Sequence, residues 1–239
     1  MIWAASVGLL IFVPLLFSLP YIIYKLSAGG SLSPDAIAAD KTLIFFSVLG
    51  ILPTHVLTIV IAWMVVTEGG RYPFWKTIGF EWPRQTSPLV TTLLSTLLAL
   101  VLLALAWLVT ELYDGGKTQL DVLIESSLPA RFATAFMAVA TAPLVEEVIY
   151  RGVLYPAFER AAGMAVAIVL VSLLFAGVHV FQYYNNIAVI TIITLLSVTL
   201  TVARAVTGKL LPAFIIHLAF NGIQSLVLVV APFVEKTSS

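Results

Sequence analysis

The run Thr141-Ala-Pro-Leu-Val-Glu-Glu-Val-Ile-Tyr-Arg-Gly-Val-Leu-Tyr155 decides how this chain is read. It is apolar enough for a buried helix, yet it carries Glu146, Glu147 and Arg151. Ionisable groups in hydrocarbon cost several kcal/mol unless they are paired or face a polar cavity, so they mark function by default. On a helix, Glu147 precedes Arg151 by four residues, the favourable order for an ion pair. That pairing neutralises one carboxylate and leaves Glu146 on an adjacent face, about 100° away. A carboxylate left over in a partly wet cavity is the group a general base requires. Pro143 cannot donate its backbone bond, which predicts a kink that opens the helix there. The competing reading is a buried Glu/Arg cluster that only locks helices together, but two adjacent acids are an expensive way to make one ion pair.

The rest of the chain fits a membrane around this run. Of 239 residues, 61% are hydrophobic and only 10% charged; a soluble domain has about 25% charged residues. The composition predicts an all-α, polytopic transmembrane helix bundle forming a single integral-membrane domain over residues 1–239. Apolar runs able to cross about 30 Å of hydrocarbon fall at 2–26, 41–67, 88–112, 131–158, 163–181, 185–204 and 209–233, which makes about seven helices. Gly29-Gly30 with Pro34, Gly69-Gly70 with Pro73 and Pro83, and Asp114-Gly115-Gly116 interrupt them. The last three helices are joined by very short links and predict a compact antiparallel bundle. The first helix has no basic segment ahead of it and reads as a retained span. Zero net charge gives no case for nucleic acid, and the absence of cysteine excludes disulfides, thiolate metal sites and a Cys nucleophile.

The loop 68–87 mixes Arg71, Lys76 and Arg84 with Tyr72, Phe74, Trp75, Phe80 and Trp82, a composition suited to the headgroup layer of a cytoplasmic face. It reads first as an interfacial anchor. Its face collects Arg71, Lys76, Arg84, Arg160, Arg204 and Lys209, against Lys25, Lys41, Lys117, Arg131 and Lys236 on the other, so the charge bias setting orientation is slight.

Three further polar outliers join the Glu pair. His179 closes Ser172-Leu-Leu-Phe-Ala-Gly-Val-His179. If the chain turns near Ala162–Gly163, Glu146 and His179 lie about 16 residues to either side, at a common depth of roughly 24 Å. His217 and Asn221 are four apart in Leu211-Pro-Ala-Phe-Ile-Ile-His-Leu-Ala-Phe-Asn221 and share a helix face; Pro212 suits the first turn of that helix. The pair supplies two hydrogen-bond donors, or one donor and one metal ligand, and Asn also serves as glue between membrane helices. His55 has no polar partner at helical spacing and reads as a packing or cavity residue.

The ordered motifs Glu-Glu-x-x-x-Arg (146, 147, 151), Phe-x-x-x-His (175, 179) and His-x-x-x-Asn (217, 221) resemble the CPBP family of intramembrane proteases, also known as the Abi or CAAX-protease family, which includes the type II CAAX prenyl endopeptidases. The resemblance covers about residues 130–225, a catalytic core. It implies an intramembrane endopeptidase that hydrolyses a membrane-associated peptide or protein, prenylated CAAX-type or plain. In the glutamate mechanism Glu146 takes a proton from water, His179 helps to position that water, His217 and Asn221 stabilise the oxyanion, and Glu147 and Arg151 support the helix. The alternative is a zinc site with His179, His217 and Glu146 as ligands, although no His-Glu-x-x-His occurs; no cofactor is otherwise implied. The resemblance places the chain as a multi-pass protein of a bacterial cytoplasmic membrane. The rival from another class is a non-catalytic scaffold or bacteriocin-immunity protein of the same fold. A proton-coupled transporter is disfavoured by the lack of internal repeats and paired broken helices.

Overall fold

The computed structural model describes every residue except 114, 117, 184, 185, 238 and 239, and every side chain among the described residues except those of 119, 181 and 231–237. Asp114 of the third predicted turn, Lys117 and the Lys236 side chain therefore lie outside the described residues. The described chain is helical and without strands. Among the described residues six helices are long and apolar enough to cross a membrane: α1 (Ile2–Ser27), α2 (Lys41–Val66), α3 (Pro88–Leu112), α4 (Leu128–Ala162), and two further spans after a shorter apolar helix, α5 (Met164–Tyr183). Those two are α6 (Ile187–Thr207) and α7 (Leu211–Thr237). The chain is a polytopic helical membrane bundle.

Local sequence explains where the helices begin, break and turn. Ser87 caps α3 by accepting from the Val90 amide, with Pro88 in the first turn. α2 breaks at Gly50 into Lys41–Leu49 and Ile51–Val66. Pro53 lies four residues after Leu49 and cannot bond its carbonyl. α1 also presses tightly on Gly50, since a Cβ there would stand 2.6 Å from Pro14 Cα. Gly163, at φ +85°, makes the one-residue turn between α4 and α5, where the sequence places it.

α4 is the central helix. α1 and α2 pack on one side of it and α5, α6 and α7 on the other, with α3 outside against α6 and α7. Only 11% of the α1 window is buried, against 39% for α6, so α1 turns most of its apolar surface to lipid and α6 sits inside. One core cluster runs through Val148, Ile149, Tyr150, Val171 and Phe175, and a second through Leu102, Leu196, Leu200, Ile216 and Phe220.

Two tethers fasten the ends. Asp40 caps the start of α2 by accepting from the Thr42 and Leu43 amides, and it pairs with Lys25 at 2.7 Å. Burial pushes the Asp40 carboxyl up, but Lys25, the Leu43 amide and Tyr21 outweigh burial and hold it below the usual carboxylate range. The aromatic–basic loop is seated on the α6–α7 turn: the Leu210 amide donates to the Gly79 carbonyl at 2.8 Å, and Phe80 packs on Phe214. Lys209 pairs with Glu81 and its hydrogen bond draws that carboxyl below its ordinary value. Arg204, counted from sequence among the cations of this face, is instead 8% exposed and donates inward to the Arg151 and Gly208 carbonyls.

Candidate functional site

The predicted kink at Pro143 takes a specific form. α4 contains two π turns, Met137–Thr141 and Val148–Leu154, and the Glu pair lies in the short α segment Ala142–Glu147 between them. Each π turn is followed by a proline, Pro143 and Pro156. A proline ring clashes with the carbonyl four residues back and offers it no N–H; widening the turn by one residue relieves the clash. In a π turn each carbonyl bonds the amide five residues on, as Met137 does with Ala142 and Tyr150 with Tyr155. The next carbonyls in each register, those of Ala138 and Arg151, would need Pro143 and Pro156 as donors and find none. Buried carbonyls require a partner, and later helices supply one. Asn221 Nδ2 donates to the Ala138 carbonyl at 2.9 Å, and Arg204 Nε donates to the Arg151 carbonyl at 3.1 Å.

Between these two repaired turns the adjacent acids have different surroundings. Glu147 is fully buried, and its Oε1 accepts from Arg151 at 2.9 Å. Arg151 is equally buried. Its guanidinium also donates to Ser197 Oγ at 2.8 Å, to the Ser197 carbonyl at 2.9 Å and to Thr201 Oγ1 at 3.2 Å on α6. Its face lies 4.7 Å from the centre of the Phe175 ring on α5. One side chain thereby ties α4, α5 and α6. Glu146 keeps 25% of its side chain exposed.

His217 of α7 bridges the two acids. Its Nδ1 lies 2.9 Å from Glu147 Oε1 and its Nε2 lies 3.6 Å from Glu146 Oε2. A carboxylate can only accept, so Nδ1 carries a proton and Nε2 is the atom turned to Glu146. The second distance is too long for a direct hydrogen bond and suits a bridging group. Phe175 stands edge-on to His217 at 6.0 Å and in contact with His179 at 4.7 Å.

His179 is placed differently from the sequence expectation. The Glu pair's segment packs against α7 and α2, while α5 packs mainly on the later part of α4. His179 Nδ1 donates to the Phe175 carbonyl at 2.8 Å, and the ring stacks on Tyr183; among the described residues it makes no hydrogen bond or ion pair with Glu146. Phe175, beside both rings, nonetheless places His179 near His217. Asn221 uses one amide hydrogen on Ala138 and keeps the other. His55, read as a packing residue, bonds Thr141 Oγ1 through Nδ1 at 2.8 Å. No local spacing could have shown this contact, because its partner is 86 residues away.

The residues offered for zinc do not form a ligand set. His179 makes no hydrogen bond or ion pair with Glu146 or His217, and among the described residues no group of three His, Cys, Asp or Glu is gathered as metal ligands are.

The bundle thus sets two carboxylates of one broken helix, α4, against a histidine of another, α7. Residues 128–223 match the family described as type II CAAX prenyl endopeptidase Rce1-like. That match, over less than half of the chain, supports the CPBP, or CAAX-protease, family, a family of proteases. The comparisons with curated proteins and with solved structures give no match.

Proposed function

We propose that the chain is an intramembrane endopeptidase that cleaves a membrane-associated peptide or protein, CAAX-type in the sense of its family, with water activated by Glu146. The observation that carries this reading is the division between the two acids. Glu147 is sealed against Arg151 and His217, whereas Glu146 is a quarter exposed and faces His217 Nε2 across 3.6 Å. A buried acid that orients a histidine and an accessible acid free to take a proton are the two roles hydrolysis needs.

In this mechanism Glu146 removes the proton from a water that attacks the scissile carbonyl. Glu147 holds His217 with Nε2 towards the reacting atoms. Two carboxylates against one guanidinium leave one net negative charge, which passes from Glu146 to the oxyanion as the water proton is taken, and His217 faces it there. The second amide hydrogen of Asn221 is the companion donor, and each such donor is worth roughly 3–4 kcal/mol in other proteases. His179 positions the water from the Phe175 side. Proton return from Glu146 to the leaving amine completes peptide hydrolysis.

The test is cleavage of prenylated and plain quenched-fluorescent peptides by the purified full chain in detergent, with and without a strong chelator. Wild type should cleave in both conditions, and Glu146→Gln should lose at least about 100-fold in kcat. Undiminished cleavage by Glu146→Gln refutes the assignment. No cleavage of any peptide by wild type refutes the endopeptidase reading, and activity abolished by chelation alone refutes the metal-free mechanism.

A further inference from the structure

The Met137–Thr141 π turn sets where Glu146 points, because the added residue rotates everything after it by about 100°. Asn221 secures one side of this turn at the Ala138 carbonyl. The other side is secured from α2. That helix buries Thr54, His55 and Thr58; Thr54 turns to the Leu9 carbonyl of α1, and His55 turns to α4. His55 is 8% exposed, and its Nδ1 meets Thr141 Oγ1 at 2.8 Å. The Thr141 hydroxyl itself donates back to the Met137 carbonyl at 3.3 Å, so its oxygen accepts and His55 Nδ1 is the donor. Thr141 departs from helical geometry, with φ −120° and ψ −43°, and it immediately precedes the segment that bears both acids.

We propose that His55 is a positioning residue of the site: through Thr141 it locks the end of the π turn and so fixes the direction of Glu146. The proposal rests on the reading of Glu146 as the general base. His55 acts through one nitrogen and one hydroxyl, without touching substrate. A packing histidine would tolerate any neutral side chain of similar size, whereas this role needs a donor at the Nδ1 position. Asn places its amide nitrogen where Nδ1 stands, and Gln places its own where Nε2 stands, which separates the two.

The experiment compares His55→Asn, His55→Gln, His55→Ala and Thr141→Val in the full chain in detergent. The readouts are kcat and KM on a cleaved peptide, and amide hydrogen exchange across residues 137–147. The expected result is a fall of about 10–100-fold in kcat for Ala, Gln and Thr141→Val, with KM within about twofold and Asn within about threefold of wild type. Exchange across 137–147 should quicken in the same three variants and stay slow in Asn. His55→Ala with wild-type kcat and exchange overturns the proposal, and so does Asn as impaired as Ala. The exchange arm needs no substrate, so it tests the His55–Thr141 lock even where peptide cleavage fails and the endopeptidase reading falls.

Discussion

Replacing Arg151 with Met should be among the costliest single changes to this protein's stability. The side chain fills a wholly buried site, and Met keeps most of its apolar stem. What disappears is the 2.9 Å partner of Glu147, the donor to Ser197 Oγ and the donor to Thr201 Oγ1. Thr201 Oγ1 still donates to the Ser197 carbonyl at 2.7 Å, so that backbone group is not orphaned. The dominant loss is therefore an uncompensated charge on Glu147, and breaking one side of a buried pair costs about 3–5 kcal/mol. Removing both charges in Glu147→Gln/Arg151→Met relieves it. The Gln oxygen still accepts from His217, and the remaining cost is Ser197 Oγ without its donor, about 1–3 kcal/mol. The double variant should thus be more stable than Arg151→Met by about 2 kcal/mol, with a comparable coupling energy in the mutant cycle. Unfolding in mixed micelles followed by tryptophan fluorescence measures all four proteins. A loss below about 1 kcal/mol for Arg151→Met, or strict additivity in the double variant, would refute the reasoning.

Asn221→Ala should lose about 1–3 kcal/mol because the Ala138 carbonyl becomes an unpaired buried acceptor. Adding Pro143→Ala should recover most of that stability by returning an amide to the π register, while peptide cleavage stays low because the turn bearing Glu146 has changed; failure of the stability rescue would show that Asn221 is not repairing this gap. Gly152→Ala places a Cβ 3.2 Å from Ile78 Cβ, and should cost about 1–3 kcal/mol by forcing the loop off α4, read as faster proteolysis of residues 71–84. The Asp40 carboxyl is held below its ordinary value, so its stabilisation is complete above the unfolded carboxylate value near about 4 and disappears as pH falls through the lowered folded value. Unfolding curves from pH 7 to pH 3 should therefore fall more steeply for wild type than for Asp40→Asn, and parallel curves would contradict the assignment.

Much of this protein is written in local spacing. Apolar length set the spans, because hydrocarbon thickness demands it, and Gly163 and Pro212 marked a turn and a helix start by their own conformational limits. The Glu147–Arg151 pair followed from helix geometry alone, and it survives at 2.9 Å although a π turn begins between its members. Which histidine meets the acids was beyond such reasoning. Equal depth nominated His179, but the rotation of α4 turns Glu146 and Glu147 to His217 on α7. That rotation comes from π turns, which shift the helical phase without altering the hydrophobic pattern. Lipid and protein interior are both apolar, so the pattern does not say which face of a membrane helix points inward. Arg204, Asn221 and His55 were misplaced or left open for the same reason: each answers a polar group exposed by a distortion on another helix. The sequence by itself determined the membrane bundle, the family motifs and the buried charges. Only the packing of the helices decided the other partners of those charges, since His217, Ser197 and Thr201 lie at separations from them that carry no period.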